Sequence, residues 1–272
     1  MYKNKLSLTE IKSIGLKIKY DLFEKFCKVQ EGHPGSVLSI FDIVNYLYLS
    51  EALSIKVGSK TNDTLIMSKG HAAAVQYPYL VRLGIIDRKE WDNWGISDSI
   101  LRVFGNNSIP GIDVTGGSLG YGVGIAAGMA IANRHNNIPT DHFVIISEGE
   151  LYEGSTWEAL IFVAHHKLKE IKIILDINRN MILGRPEDHL SLDSLEAKFQ
   201  AFNFNTKRIN GHNYEEIEAG IEFLKSQGEQ PKVLLADTIK GKGISFMEDR
   251  AESHYWGGLS DEQMKIMLEE LK

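Results

Sequence analysis

Apolar residues recur with a helical period at Ile11, Ile14, Leu16, Ile18, Leu22 and Phe26, behind the capping-box sequence Ser7-Leu8-Thr9-Glu10. The pattern predicts an amphipathic helix ending near Gln30. The Gly- and Pro-bearing stretch Glu31-Gly32-His33-Pro34-Gly35-Ser36 then reads as a turn. A second helix is expected over residues 40–53, with Ser39 and Asp42 as its candidate caps. The short run 63–67 reads as a strand, followed by Ser68-Lys69-Gly70-His71, an apolar helix over 72–83 and a short amphipathic piece over 88–94. Residues 101–113 read mostly as loop, and the glycine-rich segment Thr115-Gly116-Gly117-Ser118-Leu119-Gly120-Tyr121-Gly122 opens a helix reaching about Arg134. Gly120, Gly124 and Gly128 are spaced to share one helical face, where each glycine costs about 1 kcal/mol against alanine. The expectation is that a partner helix approaches that face closely.

The middle of the chain organises the rest. An apolar run over 142–147 ends in the acidic turn Ser147-Glu148-Gly149-Glu150. A helix over 155–167 follows, then a second apolar run over 171–176 that leads into Asp176-Ile177-Asn178-Arg179-Asn180. This is a β-α-β unit, and parallel sheets bind ligands at the carboxyl ends of their strands, so both polar segments should face one crevice. Glu148 offers a carboxylate, Asn178 an amide oxygen and the loop beyond it carbonyl oxygens, a hard donor set suited to Mg²⁺ or Ca²⁺. Read alone, the segments equally fit an acidic loop with no ligand. Further elements alternate: helices near 192–199, 214–227 and 260–271, strands near 207–210 and 233–238. Such alternation predicts an α/β fold, a mainly parallel sheet with helices on both faces. No repeat, low-complexity stretch or linker divides it, so a single domain over residues 1–272 is expected, with helical extensions at both ends.

With 272 residues and 43% hydrophobic content, the chain can bury a sizeable core. A formal charge of −6 gives no electrostatic reason to bind nucleic acid. The lone Cys27 excludes an intrachain disulfide and fits a reducing compartment. The first residues lack the apolar stretch of a signal peptide, and no run is long enough to span a membrane. A soluble cytoplasmic protein, with neither nucleic-acid nor membrane partner, is expected.

The glycine-rich segment does not form GxGxxG after a strand, which argues against a nicotinamide cofactor. Taken in order, however, several motifs resemble the amino-terminal half of transketolase. They are His33-Pro34-Gly35-Ser36, Ser68-Lys69-Gly70-His71-Ala72, the segment from Thr115 to Gly120, the acidic turn with Glu153-Gly154-Ser155-Thr156-Trp157-Glu158, and Lys240-Gly241-Lys242-Gly243. The resemblance implies a thiamine diphosphate-binding fold and a thiamine diphosphate cofactor. It implies that Glu148, Asn178 and the carbonyl of Asn180 hold Mg²⁺, with Ca²⁺ as a substitute. His71 should contact the diphosphate beside the backbone NH of Gly149, and His33 should face the reacting carbon. Gly117 and Leu119 should lie against the cofactor, Leu119 and Ile182 on its thiazolium ring, with His254 near the diphosphate. Glu153 resembles a buried glutamate that links two active sites across a subunit boundary. His33, His71, His254 and Glu153 therefore form the expected catalytic set.

Three departures from the family pattern stand out. Glu148 replaces an aspartate, Ser147 replaces a glycine, and Gly105-Asn106-Asn107 stands where the family has Gly-His-Pro. Asn106 cannot become charged as a histidine can, which implies an altered donor pocket. The family carries a further glutamate, in a second domain, that protonates the cofactor's aminopyrimidine, and no second copy of the pattern occurs here. The resemblance thus implies a partner subunit with the pyrimidine-binding and C-terminal domains, assembled as an α2β2 heterotetramer and acting on sugars. The alternatives are the α subunit of a 2-oxo acid dehydrogenase, which shares the acidic turn, and a non-catalytic scaffold that has lost its metal.

Overall fold

A computed structural model describes residues 5–56, 59, 61–192, 194–255 and 258–272. In chain order, α1 is Leu8–Val29, α2 Pro34–Leu49 and β1 Thr64–Met67; a 3₁₀ turn, Gly70–Gln76, runs into α3, Tyr77–Arg82. Next come α4 (Arg88–Asp92), α5 (Gly122–His135), β2 (His142–Ser147), α6 (Gly154–His165) and β3 (Ile171–Ile177). The chain continues through α7 (Pro186–His189), α8 (Leu195–Ala201), β4 (Asn205–Asn210), α9 (Tyr214–Lys225), β5 (Lys232–Asp237) and α10 (Asp261–Glu270).

The five strands form one sheet in the order β1-β2-β3-β5-β4, every neighbouring pair parallel. Strands β2 and β3 are buried at every position, as near-continuous apolar runs in a doubly covered sheet should be. Their alternate side chains feed two cores. Phe143, Ile145, Ile174 and Leu234 pack with Phe23 and Phe26 of α1, Phe41 of α2 and Ile217 of α9. Val144, Ile146, Ile173, Leu175 and Leu235 pack on the opposite face with Ala126 of α5, Leu160 of α6 and Phe199 of α8. Burying both faces this way is what makes the strand run itself, rather than an alternating pattern, the sequence signal.

Several boundaries differ from expectation for identifiable reasons. The expected turn at 31–36 holds only to His33, because Pro34 is the first residue of α2. Proline lacks the NH that a first helical position leaves unused anyway, so it starts the helix there. Ser39 and Asp42 are therefore interior residues and not caps. Asp42 sits in a buried cluster with Lys19 (3.4 Å), His212 Nδ1 (2.8 Å) and Tyr214. His212 Nε2 accepts the NH of Ile239 (2.9 Å), so this dyad is a structural clamp with no free nitrogen. Gly120 precedes α5, with φ of 90°, and does not share a helical face with Gly124 and Gly128. The capping box at Ser7 and Glu10 is present as read. Among the described residues no helix is long and apolar enough to cross a membrane.

Candidate functional site

Four strands deliver their following segments to the same edge of the sheet. After β1 comes Ser68-Lys69-Gly70-His71, after β2 the acidic turn, after β3 Asn178-Arg179-Asn180, and after β5 the Lys240-Gly241-Lys242-Gly243 turn. In register, Ser147 stands opposite Asp176, which sets the acidic turn directly beside the asparagine loop. Glu148 Oε2 accepts the backbone NH of Arg179 at 3.1 Å, tying the two together. The turn after β5 is drawn in by the NH of Gly241, which donates to the carbonyl of Gly35 at 3.0 Å. His33 at the head of α2 thus meets His254 downstream of β5.

A cleft of about 560 Å³ opens at this edge, a size usual for a small-molecule site. His33, His71, Gly117, Leu119, Gly149, Ile182 and His254 all line it. The three imidazoles form one cluster, with ring centroids 5.1 Å (His33 to His71), 5.2 Å (His33 to His254) and 5.2 Å (His71 to His254) apart. Burial, with Lys240 and Lys69 nearby, lowers the pKa of His33 to about 4. Burial and Lys240 lower that of His254 to about 3, and burial with Lys69 pushes His71 well down. All three are neutral at pH 7. His33 is only 6% exposed, and its Nδ1 is buried with no hydrogen-bond partner. Leaving such an atom unpaired costs about 1–3 kcal/mol, so a bound ligand that satisfies it gains accordingly.

The donors expected for a cation, Glu148, Asn178 and Asn180, do not line the cleft themselves, but Glu148 and Asn180 adjoin lining residues in the chain. Glu148 stands between the cleft residues Ser147 and Gly149, and burial raises the pKa of its carboxyl. Asn178 Oδ1 accepts the NH of Asn180 (3.1 Å), and the Asn180 carbonyl accepts Lys240 Nζ (3.2 Å); each oxygen keeps a second lone pair. Among the described residues there is no group of three or more His, Cys, Asp or Glu arranged around a metal. The one-carboxylate, two-carbonyl set agrees with that, because Mg²⁺ is commonly held by one or two carboxylates and completed by a ligand's phosphates. The donor chemistry therefore suits Mg²⁺ completed by a ligand's oxygens and lacks the side chains of a zinc site.

The glycine-rich segment closes one wall by backbone contact. A Cβ on Gly70 would lie 2.6 Å from the NH nitrogen of Gly117 and one on Gly116 2.9 Å from the Gly70 Cα, so the loop carrying His71 and the loop carrying Leu119 touch only because Gly70 and Gly116 are glycine. Apolar residues ring the mouth, among them Ile182 and Leu183, exposed by 56% and 72%. Asn106 is half-buried but does not line the cleft, and its amide oxygen is turned onto Ser108. Phe104 takes that place, its ring 5.6 Å from His33. Glu153 is exposed, outside the cleft, at the N-cap of α6.

Four charged residues near the site were not singled out from sequence. Lys69 and Asp176 are fully buried and form an ion pair. Burial works to raise the Asp176 pKa, but Lys69 and the surrounding hydrogen bonds outweigh it and hold the group below the usual carboxylate range. Lys240 is 1% exposed and donates to His254 Nδ1 at 3.0 Å; burial and Lys69 lower its pKa to about 8. Glu150 is fully buried, its Oε1 accepting from Ser68 Oγ and from the NH of Gly120 (3.0 Å), its Oε2 unpartnered. A sequence signal existed for Asp176 alone: a carboxylate inside an otherwise apolar strand is buried, and buried charges are paired.

Residues 17–271 match the family model for the transketolase thiamine diphosphate-binding domain. The chain is 34% identical, over 92% of its length and 91% of the relative's, to 6-deoxy-6-sulfo-D-fructose transketolase subunit SqwG of a Clostridium species. It is 35% identical, over 89% of its length and 88% of the relative's, to an apulose-4-phosphate transketolase subunit of Actinobacillus succinogenes. Among solved structures it resembles transketolase from Campylobacter jejuni, with a TM-score of 0.89 and 27% identity, covering 98% of this chain and 43% of that one.

Proposed function

This chain belongs to the transketolase family, matching its thiamine diphosphate-binding domain, and from that premise we propose that it is the diphosphate-binding subunit of a two-chain transketolase. It moves a two-carbon ketol unit from a ketose to an aldose and depends on a partner subunit that carries the pyrimidine-binding and C-terminal domains. The observation that carries this reading is the convergence on one cleft of three neutral histidines and a glycine-rich wall, with the acidic turn tied to the asparagine loop beside it. The sizes of its relatives support the two-chain arrangement. The chain spans about nine-tenths of two relatives called subunits and 43% of a transketolase structure.

Thiamine diphosphate, when bound, supplies the nucleophilic carbon that attacks the donor's carbonyl. Glu148, Asn178 and the Asn180 carbonyl would hold Mg²⁺, and His71, His254 and the NH of Gly149 would contact the phosphates. Leu119 and Ile182 enclose the ring and exclude water from it. His33, neutral at working pH with its pKa at about 4, accepts a hydrogen bond from a sugar hydroxyl at an imidazole nitrogen. Glu153, exposed on this chain, becomes the link between paired sites once the partner covers it. An α2β2 assembly and a cytoplasmic location belong to the same reading. Since Asn106 does not line the cleft, donor choice on this side falls to Phe104. Sugars bearing an anionic group, such as those in the names of its relatives, are the first donors to try.

The test mixes this chain with its partner polypeptide, thiamine diphosphate, Mg²⁺, a ketose phosphate or sulfo-ketose and an aldose. Transfer of the two-carbon unit is expected only when all are present. Full transfer by the single chain defeats the two-chain reading, and release of CO₂ from a 2-oxo acid in its place moves the assignment to a 2-oxo acid dehydrogenase.

A further inference from the structure

Residues two apart on a strand point to the same side. Asp176, next to last in β3, and Asn178, just beyond its end, are so related, and their side chains meet: Asn178 Nδ2 donates to Asp176 Oδ2 at 2.9 Å. The same Oδ2 faces Ser39 Oγ at 2.8 Å and the Lys69 ammonium, while Oδ1 accepts from Thr238 Oγ1. A carboxylate only accepts hydrogen bonds. With Asp176 fixed from three other segments, the amide of Asn178 has one permitted orientation, NH₂ toward Asp176 and Oδ1 away from it. Oδ1 then receives the NH of Asn180 at 3.1 Å and stays on the side of the Glu148 turn.

We propose that Asp176 is a positioning residue for the cation site, fixing the Asn178 amide so that its oxygen, not its nitrogen, is presented to the metal. The inference rests on the cation-site reading given above and adds to it a residue that touches neither metal nor coenzyme. It also gives the Lys69–Asp176 pair a purpose beyond stability. Ser39 lies on α2, whose head is His33; Lys69 precedes His71; Thr238 precedes Lys240. The carboxylate thus sets the amide in register with three of the segments that border the site.

A buried pair loses little when both charges are removed together, whereas removing one leaves the other uncompensated. The test therefore compares two double variants of the chain in complex with its partner and thiamine diphosphate. Lys69→Met with Asp176→Asn removes both charges and keeps an acceptor oxygen for Asn178, its new amide NH₂ turning to Thr238 Oγ1. Lys69→Met with Asp176→Leu removes the charges and the acceptor at similar volume. Mn²⁺ binding is read from the free-ion electron paramagnetic resonance signal, with thermal midpoints as the folding control. The asparagine variant should bind Mn²⁺ within about threefold of the unmodified complex and the leucine variant at least about tenfold more weakly, the usual effect of losing a partner behind a metal ligand. If the leucine does not pack, Asp176→Ala in the same background supplies the acceptor-free site. Equal Mn²⁺ affinity in the two double variants, or affinity that merely follows their thermal midpoints, overturns the proposal. An unmodified complex that binds no Mn²⁺ sinks the cation-site reading itself, a different result.

Discussion

His33 is a side chain whose chemistry the fold alters strongly. Its pKa falls from 6.5 to about 4, because burial, Lys240 and Lys69 all disfavour the charged ring; His71, His254, Phe104 and Tyr255 wall it in. Between those two values the unfolded chain binds a proton that the folded chain refuses. Stability therefore rises with pH across the window and is lost as pH falls from about 6.5 toward 4. His254 and His71, shifted the same way, steepen the loss. Urea midpoints of the isolated chain taken from pH 7.5 to 5 should fall with acid. His33→Asn should flatten that slope without weakening α2, since asparagine is a favoured N-cap. A slope unchanged by the substitution shows that His33 does not titrate in the window. At this scale the histidines were legible because short motifs containing Gly and Pro surround them. Lys69 and Lys240 were not, because a buried charge is recognisable only with its partner, and Asp176 offered no more than its place in an apolar strand, 107 residues from Lys69.

Among the helices, two glycines read as equivalent from spacing prove opposite in kind. Gly120 has φ of 90°, and a Cβ there would come within 2.8 Å of the Glu153 Cβ, so the loop requires glycine on both counts. Gly128 lies inside α5, and a Cβ there meets nothing within 4 Å. Gly120→Ala should destabilise the chain by more than about 1 kcal/mol, while Gly128→Ala should be neutral or stabilise it by up to about 1 kcal/mol. Chemical denaturation of the two variants decides; equal effects refute the distinction. Element order and type were readable because each buried strand is an apolar run and each covering helix has its own stripe. The error in spacing arose at a helix start, where a period of four continues back beyond the first helical residue without any change in composition. Proline at the start of α2 was a boundary signal of the same local kind, masked by the glycines on either side of it.

For the molecule as a whole, the unburied apolar surface is the feature a lone globular chain leaves unexplained. Ile125 on α5 and Ile161 and Phe162 on α6 are 38%, 52% and 42% exposed, with Tyr121 at the head of α5 at 59%. Gly124 and Gly128 are exposed between them. Such a patch marks a contact surface, and its small residues allow close backbone approach. Glu153 borders it, since the Gly120 that precedes α5 touches that side chain. Under the two-chain reading proposed above, this face would bring Glu153 under a partner. Ile161→Glu should leave the isolated chain folded, because an exposed substitution changes stability by about 0.5 kcal/mol or less. In the complex the same carboxylate is buried without a partner, which costs several kcal/mol. Association with the partner measured by sedimentation should then weaken by at least about tenfold, and ketol transfer at limiting partner should fall with it. Lys265→Glu, exposed on α10, changes charge by more and should leave association intact. If Ile161→Glu assembles and turns over like the unmodified chain, the face stays in water in the working enzyme, and the exposed isoleucines need another account.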